Sequence, residues 1–239
     1  MENIVGSGNL VEIDLGYTGY NALDISSAFD VTLIHDETYS ATVMVDDNVI
    51  DKVITYRDGK TLTIGLDESY RYTDVSLRAV ITMPALTAIA LEDAASITVI
   101  DSASFPSATS FRATLADASN LLLPSIVAGT VSINLADASR ANIGAVASDT
   151  TVTAKGASSI QMNGSTYDLS LTVDDASVAT LKEYAAGGAS VKLSDASEAW
   201  VRVDGVLNIN LTGASTLYYH GIVDIGTLTL ADASSIIEY

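Results

Sequence analysis

The chain has no cysteine among its 239 residues, three prolines, a single tryptophan, and eleven lysines and arginines against thirty aspartates and glutamates. Each shortage excludes something. Without cysteine there are no disulfides and no thiolate metal sites, and thiol usage does not fix the redox compartment. A formal net charge of −19 repels phosphate backbones and anionic membrane surfaces, so no nucleic acid partner is expected. No apolar run is long enough to span a membrane as a helix, and no transmembrane segment is expected. The opening residues, Met1-Glu2-Asn3-Ile4-Val5, have neither a basic start nor an apolar h-region. The chain therefore reads as cytosolic, or as a mature form whose export signal has been removed. Its two histidines, His35 and His220, lack a Ser or Cys partner motif. There is also no glycine-rich phosphate loop and no metal-ligand cluster. The apolar share is ample: 48% hydrophobic residues can bury a sizeable core, in one large all-β domain or two smaller ones.

What is present is a repeat. An Asp/Gly-Ala-Ser triplet recurs at Asp117-Ala118-Ser119, Asp137-Ala138-Ser139, Gly156-Ala157-Ser158, Asp175-Ala176-Ser177, Asp195-Ala196-Ser197, Gly213-Ala214-Ser215 and Asp232-Ala233-Ser234. A fixed period of 18 to 20 residues is the signature of a solenoid. The flanks alternate with period two. Leu115, Leu135, Ala154, Val173, Leu193, Leu211 and Leu230 stand two positions before the triplet, and Leu121, Ala141, Ile160, Ala179, Ala199, Leu217 and Ile236 two positions after it. Alternation on both sides gives two short strands per repeat, joined by a bend, each turning one face inward. A third, more variable segment closes each coil.

The triplet residues have separable expected roles. Asp or Gly supplies a left-handed or turn conformation, with an Asp side chain capping its own backbone. Ala fits the inside of a tight bend with room for little more than a methyl. Ser offers a hydroxyl to backbone groups freed by the bend. Weaker copies lie upstream at Asp93-Ala94-Ala95 and Ser27-Ala28-Phe29. Between them, strands are expected over 40–45, 61–66 and 75–83, one helical turn within 47–53, and turns at Asp58-Gly59 and around Asp67–Tyr72. The prolines, Pro84, Pro106 and Pro124, are expected between strands. The expected fold is all-β: a parallel β-helix, or solenoid, of 18–20-residue coils, in the right-handed form, plus a mostly antiparallel N-terminal β region. Residues 1–88 form that region, containing a degenerate first coil and inserted strands. Residues 89–239 form the β-helix, the two making one continuous unit.

The order of parts from the N-terminal stretch through "ITMPALTAIALEDAASITV" to tandem "LxxDAS" and "LxxGAS" coils resembles the putative auto-transporter adhesin, head GIN domain family. The resemblance covers nearly the whole chain. It implies a β-helical domain of bacterial or archaeal exported or surface proteins, with no catalytic residues to carry over. The departure is the corner itself, where most copies here have Asp in place of the commoner Gly.

Two sets of residues stand out as candidate sites. Asp117, Asp137, Asp175 and Asp195 would stack on neighbouring coils, and like charges about 5 Å apart repel unless screened or bridged. A Ca²⁺ ion between coils would bridge them, but solvated turn carboxylates, each capping its own bend, are the preferred reading. Against the ion, Gly156 and Gly213 interrupt the column, and the known Ca²⁺ repeat spacing is absent. No cofactor is otherwise expected. The outward column three residues past each Ser runs Leu122, Asn142, Gln161, Thr180, Trp200, Tyr218 and Ile237, which places the only tryptophan beside Tyr218 on the next coil. Adjacent exposed aromatics make a platform for sugar rings or a partner protein. Covering by a C-terminal segment or a neighbouring subunit explains them too. Tyr219 belongs with this pair less well, because its place in the pattern points inward. Outward columns of Thr, Ser and Asn before the corner suit ordered water or carbohydrate, and equally a wet strand face.

The expectation is a non-enzymatic exported or cell-surface β-helix that binds carbohydrate or a surface protein. The alternatives are a polysaccharide-cleaving enzyme on the same scaffold, for example through Asp195 with Lys182 or Lys192, and a structural or assembly element. Fold alone does not decide among these. The open last coil at Ile236-Ile237-Glu238-Tyr239 also points to a homo-oligomer formed through solenoid ends or faces.

Overall fold

The alternating flanks of the repeat become stacked, in-register parallel strands because their inward positions bury in columns. Leu115, Leu135, Ala154, Val173, Leu193 and Leu211 are direct rung-to-rung partners, and each is fully buried. Burying an aliphatic side chain of this size contributes about 1.5–3 kcal/mol, so every coil adds a slice of core that only its neighbours complete. The computed structural model describes residues 1–100 and 105–239. It shows an all-β chain, a solenoid of about seven turns of parallel stacked coils with an antiparallel N-terminal region. Successive coils pair over long continuous strands such as Asn120–Leu135 and Arg140–Ala154, which run from one corner to the next. Pro124 lies inside the first of these, not between strands as expected. It is tolerated because the pairing register shifts there, between Leu123 and Ile126, and proline is accommodated in sheets at such irregularities.

The triplet is a turn of unusual backbone. Asp117 and Ala118 both have positive φ, 54° and 62°, as do Asp137 and Ala138 at 54° and 63°. Two consecutive left-handed residues, with the Ser119 N–H donating to the Ala116 carbonyl at 3.2 Å, define a type I′ turn. The expected placement of alanine is thereby corrected. Ala118 is exposed on the corner, and Ser119 is the buried residue. Its hydroxyl donates to the Ala116 carbonyl at 2.6 Å, and Ser139 repeats the contact with Ala136. The carboxylates of Asp117 and Asp137 make no hydrogen bond among the described residues, so serine, not aspartate, caps the bend. Corners are also laddered, the Ala118 N–H donating to the Asp137 carbonyl at 2.8 Å and the Ala138 N–H to the Gly156 carbonyl at 2.8 Å. Small residues that accept φ near +60° are what such a ladder admits.

The N-terminal region departs from chain order. Ala22–Ile25 and Asp30–His35, flanking the degenerate corner at Ser27-Ala28, stack under Ala88–Leu91 and Ser96–Val99 as the sequence pattern implies. Thr61–Leu66 and Leu77–Met83, which follow in sequence, pair parallel on the opposite side of that coil and form the outermost rung. Ser40–Asp46 then crosses Leu77–Met83 antiparallel, Leu10–Asp14 continues the sheet, and Val53–Asp58 covers Thr61–Leu66. The expected helical turn is a single 3₁₀ turn, Ile50–Lys52. The stretch near Tyr70, expected as a turn, contains the strand Tyr70–Thr73, parallel to Glu2–Val5. A buried carboxylate ties this cap together: Asp46 accepts the Gly8 N–H and the Ser76 N–H, both at 2.7 Å.

Candidate binding surface on the C-terminal coils

Outward residues of the strand that follows each corner line up along the solenoid. Leu122, Asn142, Gln161, Thr180, Trp200, Tyr218 and Ile237 are successive ladder partners, the column the repeat spacing predicts. Trp200 and Tyr218 stack at a centroid distance of 4.7 Å with planes 3° apart. Parallel rings on rungs one strand apart must face along the solenoid axis, so most of each inner face is covered by the other ring and the edges turn to solvent. The Lys182 ammonium lies 5.2 Å from the Trp200 centroid and 5.4 Å from that of Tyr239, distances at which a cation is attracted to the ring.

Tyr239 closes the patch. Its N–H donates to the Tyr219 carbonyl at 3.1 Å, and its carbonyl oxygen lies 2.8 Å from His220 Nδ1. Tyr219 packs partly against the core, in keeping with its inward place in the pattern, and its hydroxyl reaches Glu238 at 3.5 Å. Burial, with the Glu238 carboxylate beside it, pushes that hydroxyl above its ordinary value. Sequence reasoning found Trp200 and Tyr218 but did not join Lys182 and Tyr239 to them. The signal for Tyr239 was available: it lies 19 residues beyond His220, one coil on.

The corner aspartates are arranged less regularly than the repeat suggests. Asp174, absent from the expected set, joins Asp175 and Asp195, with ligand oxygens all within 4.8 Å of one another. The Ser194 hydroxyl, donating at 2.7 Å, and the Asp175 N–H, at 2.9 Å, hold the Asp174 carboxyl below its usual range. Hydrogen bonding to Asp174 and its charge push Asp195 upward. Asp117 and Asp137 sit on neighbouring corners well away in sequence from this group, and the glycine corners at 156 and 213 lie between or beside the acidic ones. Lys182 is turned to the aromatic rings, while Lys192 adds to the charges that lower Asp174.

On the face before the corner, Thr151, Ser170, Ser190 and Asn208 are successive rung partners. With Asp149 and Asp168 they line an open hollow of about 360 Å³. Tyr167, next in the chain to Asp168, is 76% exposed. Sequence reasoning missed it because it falls in the variable third segment, where no flanking pattern marks it.

The profile of the "putative auto-transporter adhesin, head GIN domain" family matches residues 19–222, most of the chain. This chain belongs to that family. The head GIN domain fold is also seen in solved structures. One, described as a putative adhesin from Parabacteroides merdae, superposes with a TM-score of 0.91 at 13% identity, over 100% of both chains. A second putative adhesin, from Parabacteroides distasonis, gives 0.89 at 15% identity over 100% of both. A protein from the same species described as a putative lipid binding protein gives 0.84 at 18%, covering 99% of this chain and 97% of its own. At these identities the likeness is one of fold. No curated protein matches this head GIN domain chain in sequence.

Proposed function

We propose that the chain is a non-enzymatic, cell-surface binding module whose partner is another surface protein, engaged through the patch of Trp200, Tyr218, Lys182 and Tyr239. The observation that carries this reading is the Trp200–Tyr218 stack. A platform for a sugar ring offers an open aromatic face, whereas here the rings are turned toward each other at 4.7 Å and present their edges, with the indole N–H and phenol O–H able to donate. Tryptophan and tyrosine beside a cation are the side chains that anchor protein interfaces. Family membership supports the adhesin-like role and the surface location. The carbohydrate alternative draws on the polar hollow at Asp149, Asp168, Ser170 and Asn208.

The test measures binding of the folded chain to intact cells, beside a Trp200→Ala/Tyr218→Ala variant of unchanged circular dichroism. Cells pretreated with protease and cells pretreated with glycosidases are compared, with a glycan array in parallel. Binding that is abolished by protease and falls at least tenfold in the variant is expected. Array binding, or loss only after glycosidase treatment, moves the partner to carbohydrate. No binding by the wild-type chain overturns the reading.

A further inference from the structure

One outward column of the solenoid is interrupted. Asp149, Asp168 and Gly188 are successive ladder partners, and the glycine removes the side chain where the third would stand. Its backbone does not require this. Gly188 lies outside the left-handed region, and a Cβ there would meet only the flexible end of Asp168, Oδ1 at 3.3 Å, and the Val206 carbonyl oxygen at 3.6 Å. Glycine inside a strand weakens it, and one that no turn or tight backbone contact demands marks a place where a ligand comes close. The gap it leaves belongs to the hollow of about 360 Å³, a volume within the roughly 300–1,000 Å³ of small-molecule sites.

The groups around the hollow are idle. The carboxylates of Asp149 and Asp168 and the hydroxyls of Thr151, Ser170 and Ser190 make no hydrogen bond among the described residues. Asn208 uses its amide oxygen, which accepts the Thr227 hydroxyl at 3.0 Å, and its NH₂ is unspent. No lysine or arginine is among the lining residues, so an anion would meet two carboxylates with nothing to offset them. A bare cation would use the carboxylates but leave the amide donor without an acceptor. Carboxylates accept charge-assisted bonds from hydroxyls, hydroxyls both donate and accept, and the amide donates. A polyol satisfies that whole set. Tyr167, next in the chain to Asp168, adds an aromatic ring that is 76% exposed. Its neighbours on the adjoining coils, Ser148 and Gly187, are too small to cover it. It therefore offers the open aromatic face that the stacked Trp200 and Tyr218 rings lack.

We propose that this hollow binds an uncharged saccharide, one ring seated over Gly188 with its hydroxyls on Asp149, Asp168 and Asn208, and the next ring laid against Tyr167. The site is separate from the aromatic patch that engages the protein partner. Being shallow and open, it buries only part of each ring, which sets Kd on the order of a millimolar. That is too weak to hold the chain on a cell or an array unaided, so the site adds to the protein contact and does not replace it.

Amide chemical shifts of the isotope-labelled chain, followed during titration with cellobiose, maltose, lactose or xylobiose to about 50 mM, well beyond a millimolar Kd, are the test. Saturable shifts confined to residues 149–151, 168–170 and 188–190 are expected with at least one of these disaccharides. Gly188→Val fills the gap with a good strand residue and should abolish the response while keeping or raising Tm, which excludes unfolding as the cause. Tyr167→Ala should weaken binding about fivefold. Trp200→Ala/Tyr218→Ala should leave it unchanged, which separates this site from the partner-binding patch. No saturable shift with any of these disaccharides, a response that persists in Gly188→Val, or the same amides answering to calcium chloride or glucosamine at far lower concentration overturns the proposal.

Discussion

Five of the seven strong corners carry aspartate at the first position, and Gly156 and Gly213 carry none. Read as a repeat consensus, Gly213→Asp would be harmless or stabilising. The structure predicts the reverse. Gly213 has φ +62°, and a Cβ placed there would lie 2.5 Å from the Asp195 backbone nitrogen and 3.0 Å from its Cα. The coil between Asp195 and Gly213 is short, 18 residues by position, and the ladder contact is correspondingly tight, with the Ala196 N–H 2.6 Å from the Gly213 carbonyl. Left-handed backbone costs a non-glycine residue about 1–2 kcal/mol, and forcing the corners apart about 1–3 kcal/mol. The stiffer unfolded chain gives back about 0.4–1 kcal/mol. The net loss is about 1–4.5 kcal/mol, centred on ~3 kcal/mol, which in a chain of this length lowers Tm by roughly 6–12 °C. Thermal unfolding followed by circular dichroism at neutral pH is the assay. Asp137→Gly is its partner, because glycine adopts φ 54° freely, and it should stay within about 1 kcal/mol of wild type. A Gly213→Asp chain melting at or above the wild-type temperature would refute the account of the corner ladder.

Three further outcomes are expected. Asp46→Ala removes a buried acceptor of two backbone N–H groups and should cost about 2–3 kcal/mol in urea unfolding, with hydrogen exchange accelerating first in residues 2–14. Tyr20, whose hydroxyl lies 3.0 Å from the Ser40 carbonyl and 3.1 Å from that of Thr82, is pushed up to about 12 by burial and by Tyr39. The folded state therefore favours its neutral form: the stabilisation is fully present below pH 10 and lost as pH rises through about 12, and ultraviolet difference titration should show this tyrosine ionising after those at the surface. Asp174→Ala should bring the Asp195 carboxyl back down toward its ordinary value, read by carboxyl carbon chemical shifts, because Asp174 is the main cause of its rise.

The solenoid was legible because its signals are local. The inward positions are not even uniform in size, since Ala113 and Leu115 share the inward face, yet apolarity at every second residue was enough to place both strands of each coil. The adjacency of Trp200 and Tyr218 followed from the same arithmetic. The corner was misread in part: a small residue was rightly expected there, but an inside and an outside cannot be assigned within a turn without its dihedrals, and serine, not alanine, proved to be the buried member.

What the sequence by itself determined is the coil: its period, its inward and outward columns, the residues sharing a ladder position, and the acidic surface. These depend on side-chain alternation along one chain segment and on a repeat of fixed length. Only the tertiary structure decided that 61–66 and 77–83 lie outside the coil formed by 22–35, that the two aromatic rings face each other, and that Asp174 joins Asp195. Each of these depends on which strand edge meets which, and on the spacing between coils of unequal length. Hydrogen bonding between parallel edges rewards any in-register neighbour, so the choice among neighbours falls to the packing of the whole.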